Sequence, residues 1–313
     1  MKILINIGLP KTSSTNLQNN FYPKISNIEY LGKSNDKSKN KLWVKLNEYI
    51  EFRNEKFFDD EKNKEQFKED FKIFCQKSKK NILISNENWS LPYQKNSISG
   101  KHEIVSQWKK LHRLNKFILS LNIDFKYFLI FRELKDAIPS LYSTLQHRIV
   151  NLFGYDYADF NILLKSVLNE DKNFEGTRLF FEVYNLNKIK ESFPKDSLKV
   201  LYYSDLVNNP ETFANSLFKV LETQPENNLI SALSKKRRVT KKIKQKYLVK
   251  EKIFFSSIFK FFLPKKLITV WDYNSQENKI TTGLLFKYNF LRILEFDKKL
   301  FDKVIIKLNL IRN

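Results

Sequence analysis

The sequence predicts an α/β fold, a three-layer sandwich around a central, mostly parallel sheet. Three observations carry that prediction. Four short apolar runs rich in β-branched and aromatic residues, 3–7, 81–85, 127–131 and 198–202, each end at polar residues. Helical patterns separate them. The chain, 313 residues long and 42% hydrophobic, is large enough to cover both faces of a sheet. Strands covered on both faces read as continuous apolar runs, and strands alternating with helices imply parallel pairing. Ligands of such sheets sit beyond the carboxyl ends of the strands, so the residues just after each run are where chemistry is sought.

The first run leads at once into a tight turn, Gly8-Leu9-Pro10-Lys11. The hydroxyl residues Thr12, Ser13, Ser14 and Thr15 follow, and a helix-compatible segment starts at Asn16. Strand, short loop with one lysine, hydroxyls and helix is the layout of a P-loop-like phosphate-binding loop. Backbone N–H groups at a helix start point at an anion, the helix dipole favours negative charge, and Lys11 adds a point charge. The loop is not a nucleoside-triphosphatase loop, which needs G-x-x-x-x-G-K-[ST]. Gly8 precedes Lys11 by only three residues, with no glycine between them. No strand ends in a plausible metal-holding aspartate, and the dinucleotide pattern G-x-G-x-x-G is absent. A magnesium-dependent kinase is therefore disfavoured.

The remaining elements follow in order. Residues 62–79 place Phe67, Phe71, Phe74 and Cys75 at helical spacing. The second strand, 81–85, delivers Glu87 just past its end. Residues 103–121 repeat Val105, Trp108, Leu111, Leu114, Phe117 and Ile118 on one helical face. The third strand runs into Arg132 and then a helix carrying Asp136 and Ser140. Residues 151–195 read as helices. After the last strand, 210–221 is an amphipathic helix with Pro210 in its first turn. The densest basic run is 235–246. Beyond it, Phe254, Phe255, Phe259, Phe261 and Phe262 suit a helix packed on the core, with weak membrane-surface contact as the alternative. The expected organisation is an α/β domain over 1–240 and a helical C-terminal extension over 241–313, packed on the same domain.

The formal charge is +22, from 56 basic and 34 acidic residues, and only nine of the basic ones are arginine. Such a field attracts anionic partners. The lone Cys75 cannot form an internal disulfide and reads as a small buried hydrophobe. The three histidines are scattered, so no metal site is expected. No leader peptide and no membrane span is visible, and the chain reads as cytoplasmic.

Together, these residues resemble a known family. Gly8-Leu9-Pro10-Lys11-Thr12-Ser13-Ser14-Thr15-Asn16-Leu17 is similar to the 5′-phosphosulfate loop of the sulfotransferases that use 3′-phosphoadenosine 5′-phosphosulfate (PAPS), which runs Pro-Lys-[Ser/Thr]-Gly-[Ser/Thr]-[Ser/Thr]-x-Leu. Ser13 stands where glycine is usual, and a small residue serves there if the backbone stays in an ordinary helical region. Arg132, Asp136 and Ser140 match the family's R-x-x-x-D-x-x-x-S pattern, whose arginine and serine grip the 3′-phosphate. An arginine fork offers a dianion charge-assisted hydrogen bonds worth roughly 1.5–3 kcal/mol each. Asp205-Leu206 followed by Asn209-Pro210 looks like the family's late strand and helix start. The basic run lies where the family often closes a loop over the adenosine phosphate. The resemblance is confined to motifs within about residues 1–240.

The resemblance implies PAPS as co-substrate, 3′-phosphoadenosine 5′-phosphate (PAP) as product, and no metal. Its expected ligands are Pro10, Lys11, Thr12, Ser13, Ser14, Thr15, Asn16, Arg132 and Ser140. Lys11 serves as the cation at the leaving oxygen. Ser85-Asn86-Glu87 is similar to the Ser-x-Glu segment of glycan and tyrosyl-protein sulfotransferases, where the glutamate is the general base. Glu87 is preferred to His102 for that role, since His102 lies in a polar context at a helix entry. His147 and Arg148, at the far end of the Ser140 helix, are solvated or touch acceptor. The acceptor implied is a hydroxyl of a carbohydrate or glycolipid. Two other readings stay open: a basic protein that binds polyanions or nucleic acid without catalysis, and a metal-dependent nucleotide kinase. No nucleic-acid-binding module is recognisable.

Overall fold

The computed structural model describes residues 1–32, 37–95, 100–235, 247–251, 272–274, 279–281, 290–294 and 296–310. The chain divides into two units. The first comprises Met1–Ala137, Glu175–Arg238 and Leu308–Asn313, and the second Ile138–Phe174 and Val239–Lys307. The membership of Ile138–Phe174 in the second unit has no counterpart in the sequence reading.

The sheet of the first unit grows from the apolar runs. It contains β1 (Ile3–Ile7), β2 (Ile28–Leu31), β3 (Asn81–Asn86), β6 (Phe125–Phe131) and β7 (Leu198–Tyr202). The strand order is β2-β3-β1-β6-β7, and every ladder is parallel. Ile7 pairs with Asn86, Asn6 with Phe128, and Phe131 with Tyr202. Every residue of β1 is buried, as a central strand covered on both faces requires. A short hairpin of β4 (Tyr93–Lys95) and β5 (His102–Ile104) stands apart from this sheet. It replaces the start of the helix expected at 103.

Helices flank the sheet. After β1, α1 (Ser14–Asn16) passes into a π-helical turn, Leu17–Phe21, and a 3-10 turn, Tyr22–Lys24. Between β2 and β3 lie α2 (Lys37–Ile50), α3 (Glu55–Phe58) and α4 (Glu61–Lys77). α5 (Gln107–Ser120) precedes β6, and α6 (Leu134–Phe153) follows it. The chain continues through α7 (Phe160–Asn169), α8 (Phe174–Glu182) and α9 (Leu186–Glu191) to β7. Then come α10 (Tyr203–Asn208), α11 (Pro210–Val220) and α12 (Asn227–Lys235). One core layer joins Leu4, Leu83, Phe128, Ile130 and Leu201 to Leu17, Phe21 and Tyr22, and to Phe213, Leu217 and Phe218 of α11. A second layer is aromatic: Tyr49, Phe58, Phe67, Phe71 and Phe117 touch edge to face, tilted or stacked, with centroids 5.2–6.2 Å apart. Asn209 caps α11 by accepting from the Thr212 N–H at 3.1 Å, and Pro210 occupies the first turn, as the sequence reads.

In the second unit, α7 packs its Phe160 ring against Tyr142 of α6 and against Phe296 and Phe301 near α13 (Lys298–Lys307). Of residues 241–313, expected to be helical, the described ones also form strands. β8 (Tyr247–Glu251) pairs antiparallel with β11 (Phe290–Leu294), and β9 (Asp272–Asn274) with β10 (Lys279–Thr281). Neither YLVKE nor FLRIL alternates polar and apolar residues, so the strand period leaves no mark in them. Residues 236–246 of the basic run, and the five phenylalanines from Phe254 to Phe262, lie outside the described residues. Among the described residues no helix is long and apolar enough to cross a membrane.

Candidate functional site

The strand order fixes the site. β3, β1 and β6 are neighbours in the sheet, so their carboxyl ends lie side by side. Glu87 follows β3, the Gly8–Ser13 loop follows β1, and Arg132 follows β6. The chain leaves β1 toward β3 on one side and reaches β6 on the other, the kind of switch point where open α/β sheets bind ligands.

Four successive carbonyls of the loop are held by side chains. Ser90 Oγ donates to Gly8 O (2.9 Å), Thr12 Oγ1 to Leu9 O (2.6 Å), Tyr184 Oη to Pro10 O (2.7 Å) and Arg132 Nη1 to Lys11 O (3.0 Å). In a trans peptide the C=O and the next N–H point opposite ways. The N–H groups of Leu9, Lys11 and Thr12 therefore point away from the groups that hold the carbonyls, which is the polarity an anion requires. Arg132 also lies over the Tyr203 ring, 4.9 Å from its centroid. Burial pushes the Lys11 ammonium below its usual range, Glu87 pulls it back up, and Arg132 pushes it down again. Two cations brought together in a partly buried site suit a doubly charged anion.

Glu87 stands in a 3-10 turn, Glu87–Ser90, that is tied on all sides. Asn86 Oδ1 accepts from the Asn88 N–H at 2.9 Å and caps the turn. Asn86 Nδ2 donates to Asn47 Oδ1 and, at 3.0 Å, to Glu51 Oε1, while Trp89 Nε1 reaches Asn47 Oδ1 at 3.0 Å. The buried Lys110 on α5 donates to Leu91 O at 2.6 Å and to Asn88 O at 3.2 Å. Burial lowers Lys110 to about 8. Ser14 Oγ donates to Glu87 Oε2 at 2.5 Å, so the loop and the carboxylate meet directly.

Some expected ligands are already engaged. The Thr12 hydroxyl is spent on its own loop and the Ser14 hydroxyl on Glu87. Asn16 Oδ1 accepts from Asn20 Nδ2 at 2.9 Å, and Thr15 is exposed. Ser13 departs from its expected conformation: its φ of 64° and ψ of 15° are left-handed, not helical. Lys11 has a φ of 63° as well. The chain must reverse between β1 and α1 within a few residues, and left-handed positions on both sides of Thr12 make that turn. The family's glycine would suit Ser13's backbone better than serine does.

Ser140 belongs to the second unit. It is fully buried on α6, and its hydroxyl has no hydrogen-bond partner among the described residues. A buried hydroxyl left that way is an atom that a ligand would satisfy. His102 sits in the β4–β5 hairpin, opposite Lys95, and not at a helix entry. His147 and Arg148 lie in α6, also in the second unit. Tyr184, Ser90 and Lys110 were not singled out from the sequence. Their partners lie 174, 82 and 19 to 22 residues away, and no local pattern announces such bonds.

No family model matches this sequence, and no curated protein does. Among solved structures, a sulfotransferase from Alicyclobacillus acidocaldarius aligns with a TM-score of 0.42 and 10% identity, over 74% of this chain and 89% of that one. The sulfotransferase domain of the curacin biosynthetic pathway gives 0.37 and 13%, over 76% and 79%. The sulfotransferase domain of the Synechococcus PCC 7002 olefin synthase gives 0.34 and 12%, over 77% and 79%.

Proposed function

We propose that this protein is a sulfotransferase that moves the sulfuryl group of PAPS to a hydroxyl of a carbohydrate or glycolipid acceptor. The observation that carries the reading is the meeting of Lys11, Glu87 and Arg132 at the adjacent carboxyl ends of β1, β3 and β6. The loop motif and the Arg132–Ser140 spacing add to it. PAPS supplies a sulfuryl group on a phosphate leaving group, transferred in line through a loose transition state like that of phosphoryl transfer.

The chain's own residues then have these roles. The loop N–H groups and Thr15 hold the 5′-phosphate, while Ser14 ties the loop to Glu87. Lys11 places its charge at the leaving oxygen, where negative charge grows. Arg132 forks onto the 3′-phosphate, with Ser140 assigned to the same group on its sequence spacing. Glu87 accepts the proton of the acceptor hydroxyl as that oxygen bonds to sulfur. Pro10, Thr12, Ser13 and Asn16 shape the loop.

Calorimetric titration without metal tests the nucleotide assignment. PAP is expected to bind and AMP to bind much more weakly, and Arg132→Ala should erase the difference. Equal binding of AMP and PAP by the wild type would sink the 3′-phosphate assignment. Glu87→Gln should keep PAP binding and lose turnover. A non-catalytic polyanion binder would instead be indifferent to Lys11→Ala and strongly salt-dependent. A nucleotide kinase would need ATP and magnesium.

A further inference from the structure

We infer that Lys110 is a positioning residue for Glu87: its buried ammonium clamps the carbonyls of Asn88 and Leu91 and thereby fixes the turn that aims the Glu87 carboxylate at the acceptor. The inference deepens the proposed function and rests on it.

Lysine is an unusual choice for this place. Its side chain is fully buried, and a buried ammonium is costly unless it is paired. Here it forms no salt bridge among the described residues. It spends its hydrogen bonds on two backbone oxygens, Leu91 O at 2.6 Å and Asn88 O at 3.2 Å. Asn88 lies inside the 3-10 turn and Leu91 is its C-cap, so the clamp spans the end of the turn opposite Asn86. Asn86 caps the first end. Ser90 ties the turn to the loop through Gly8 O, and Ser14 of that loop meets the carboxylate. A shift of the turn therefore moves Glu87 relative to Lys11. Positions in a reacting site matter at the scale of an ångström. A methionine would fill the same volume, so packing alone does not call for an amine. The surrounding charges, Glu51, Arg53 and Glu103, act on Lys110 from a distance.

The test compares Lys110→Met, Lys110→Gln and Lys110→Arg with wild type and Glu87→Gln. PAP affinity is measured by calorimetry, and kcat and KM with PAPS and a hydroxyl acceptor. Lys110→Met is expected to bind PAP within about twofold of wild type, with an unchanged KM for PAPS and a kcat at least tenfold lower. Lys110→Arg, which restores donors, should recover part of kcat. Lys110→Gln keeps one donor group and should fall between. An unchanged kcat in Lys110→Met overturns the inference. So does parallel loss of PAP binding and turnover, or failure of both Lys110→Met and Lys110→Gln to fold, since either makes Lys110 a strut of the fold. If wild type transfers no sulfuryl group, or Glu87→Gln keeps full turnover, it is the proposed function or its base that fails. If Glu87→Gln loses turnover while Lys110→Met keeps it, only the positioning role fails.

Discussion

Ser13 holds a left-handed backbone conformation at the last position before α1, with φ at 64°. A residue with a Cβ occupies that region at a cost of roughly 1–2 kcal/mol, and glycine does so freely, though it gives up some of that gain through its greater freedom when unfolded. Ser13→Gly is therefore expected to raise stability by about 1 kcal/mol, read as a higher urea midpoint at constant slope. A β-branched residue there should do the reverse. An unchanged midpoint in Ser13→Gly would show that the serine carries no strain. The loop's place after β1 was legible because its members are contiguous: Pro10, Lys11 and the hydroxyls stand in one stretch of sequence directly after the first apolar run. Its geometry was not. Nothing in a Thr-Ser-Ser-Thr run reveals that two of its hydroxyls are engaged within the protein, Thr12 by Leu9 O and Ser14 by Glu87.

At the scale of elements, Gly8, just after β1, lies so close to the Glu87 turn that a side chain there would have to push the turn aside by a few tenths of an ångström. A Cβ on Gly8 would lie 3.0 Å from both Cα and N of Glu87, and both are backbone atoms that cannot swing aside. Gly8→Ala should cost about 1–3 kcal/mol in stability. It should also lower turnover more than PAP affinity, because the displaced element carries Glu87; thermal denaturation and steady-state kinetics together check this. The elements themselves were largely readable. The four apolar runs became β1, β3, β6 and β7; β1 and β3 are covered on both faces, which makes their runs continuous, whereas β7 at the sheet edge exposes Lys199 and Tyr202. The fifth strand, β2, escaped notice: Ile28-Glu29-Tyr30-Leu31 is four residues long, contains a carboxylate and sits at the sheet edge. In 241–313, short strands with long-range partners left no periodic mark, whereas the helix Lys298–Lys307 did.

For the whole molecule, Glu222 joins three distant parts of the first unit. It accepts from Lys2 ahead of β1 (2.9 Å) and Lys126 of β6 (2.8 Å), and it follows α11. The hydrogen bonds of Lys126 and Lys2 hold its carboxyl below the usual range, against a modest desolvation effect. The sign follows: the folded state keeps this carboxylate ionised at a pH where the unfolded chain protonates it. The stabilisation is present above the unfolded value and is lost as pH falls through the folded one. Because the trio is exposed and screened by solvent, its contribution is small. Glu222→Gln should flatten the acid limb of stability below about pH 4.5 and leave the neutral plateau only slightly lower, with chemical denaturation across pH as the check. An unaltered acid limb would remove Glu222 from the account. Side-chain ties also govern the loop that follows β1. Its four carbonyls are fastened by Ser90, Thr12, Tyr184 and Arg132 before any ligand arrives. An anion entering there finds a backbone whose conformational entropy has already been surrendered during folding, so little ordering remains to oppose binding. The anion affinity of such a loop is thus set partly by Ser90 and Tyr184, whose hydroxyls face its carbonyls.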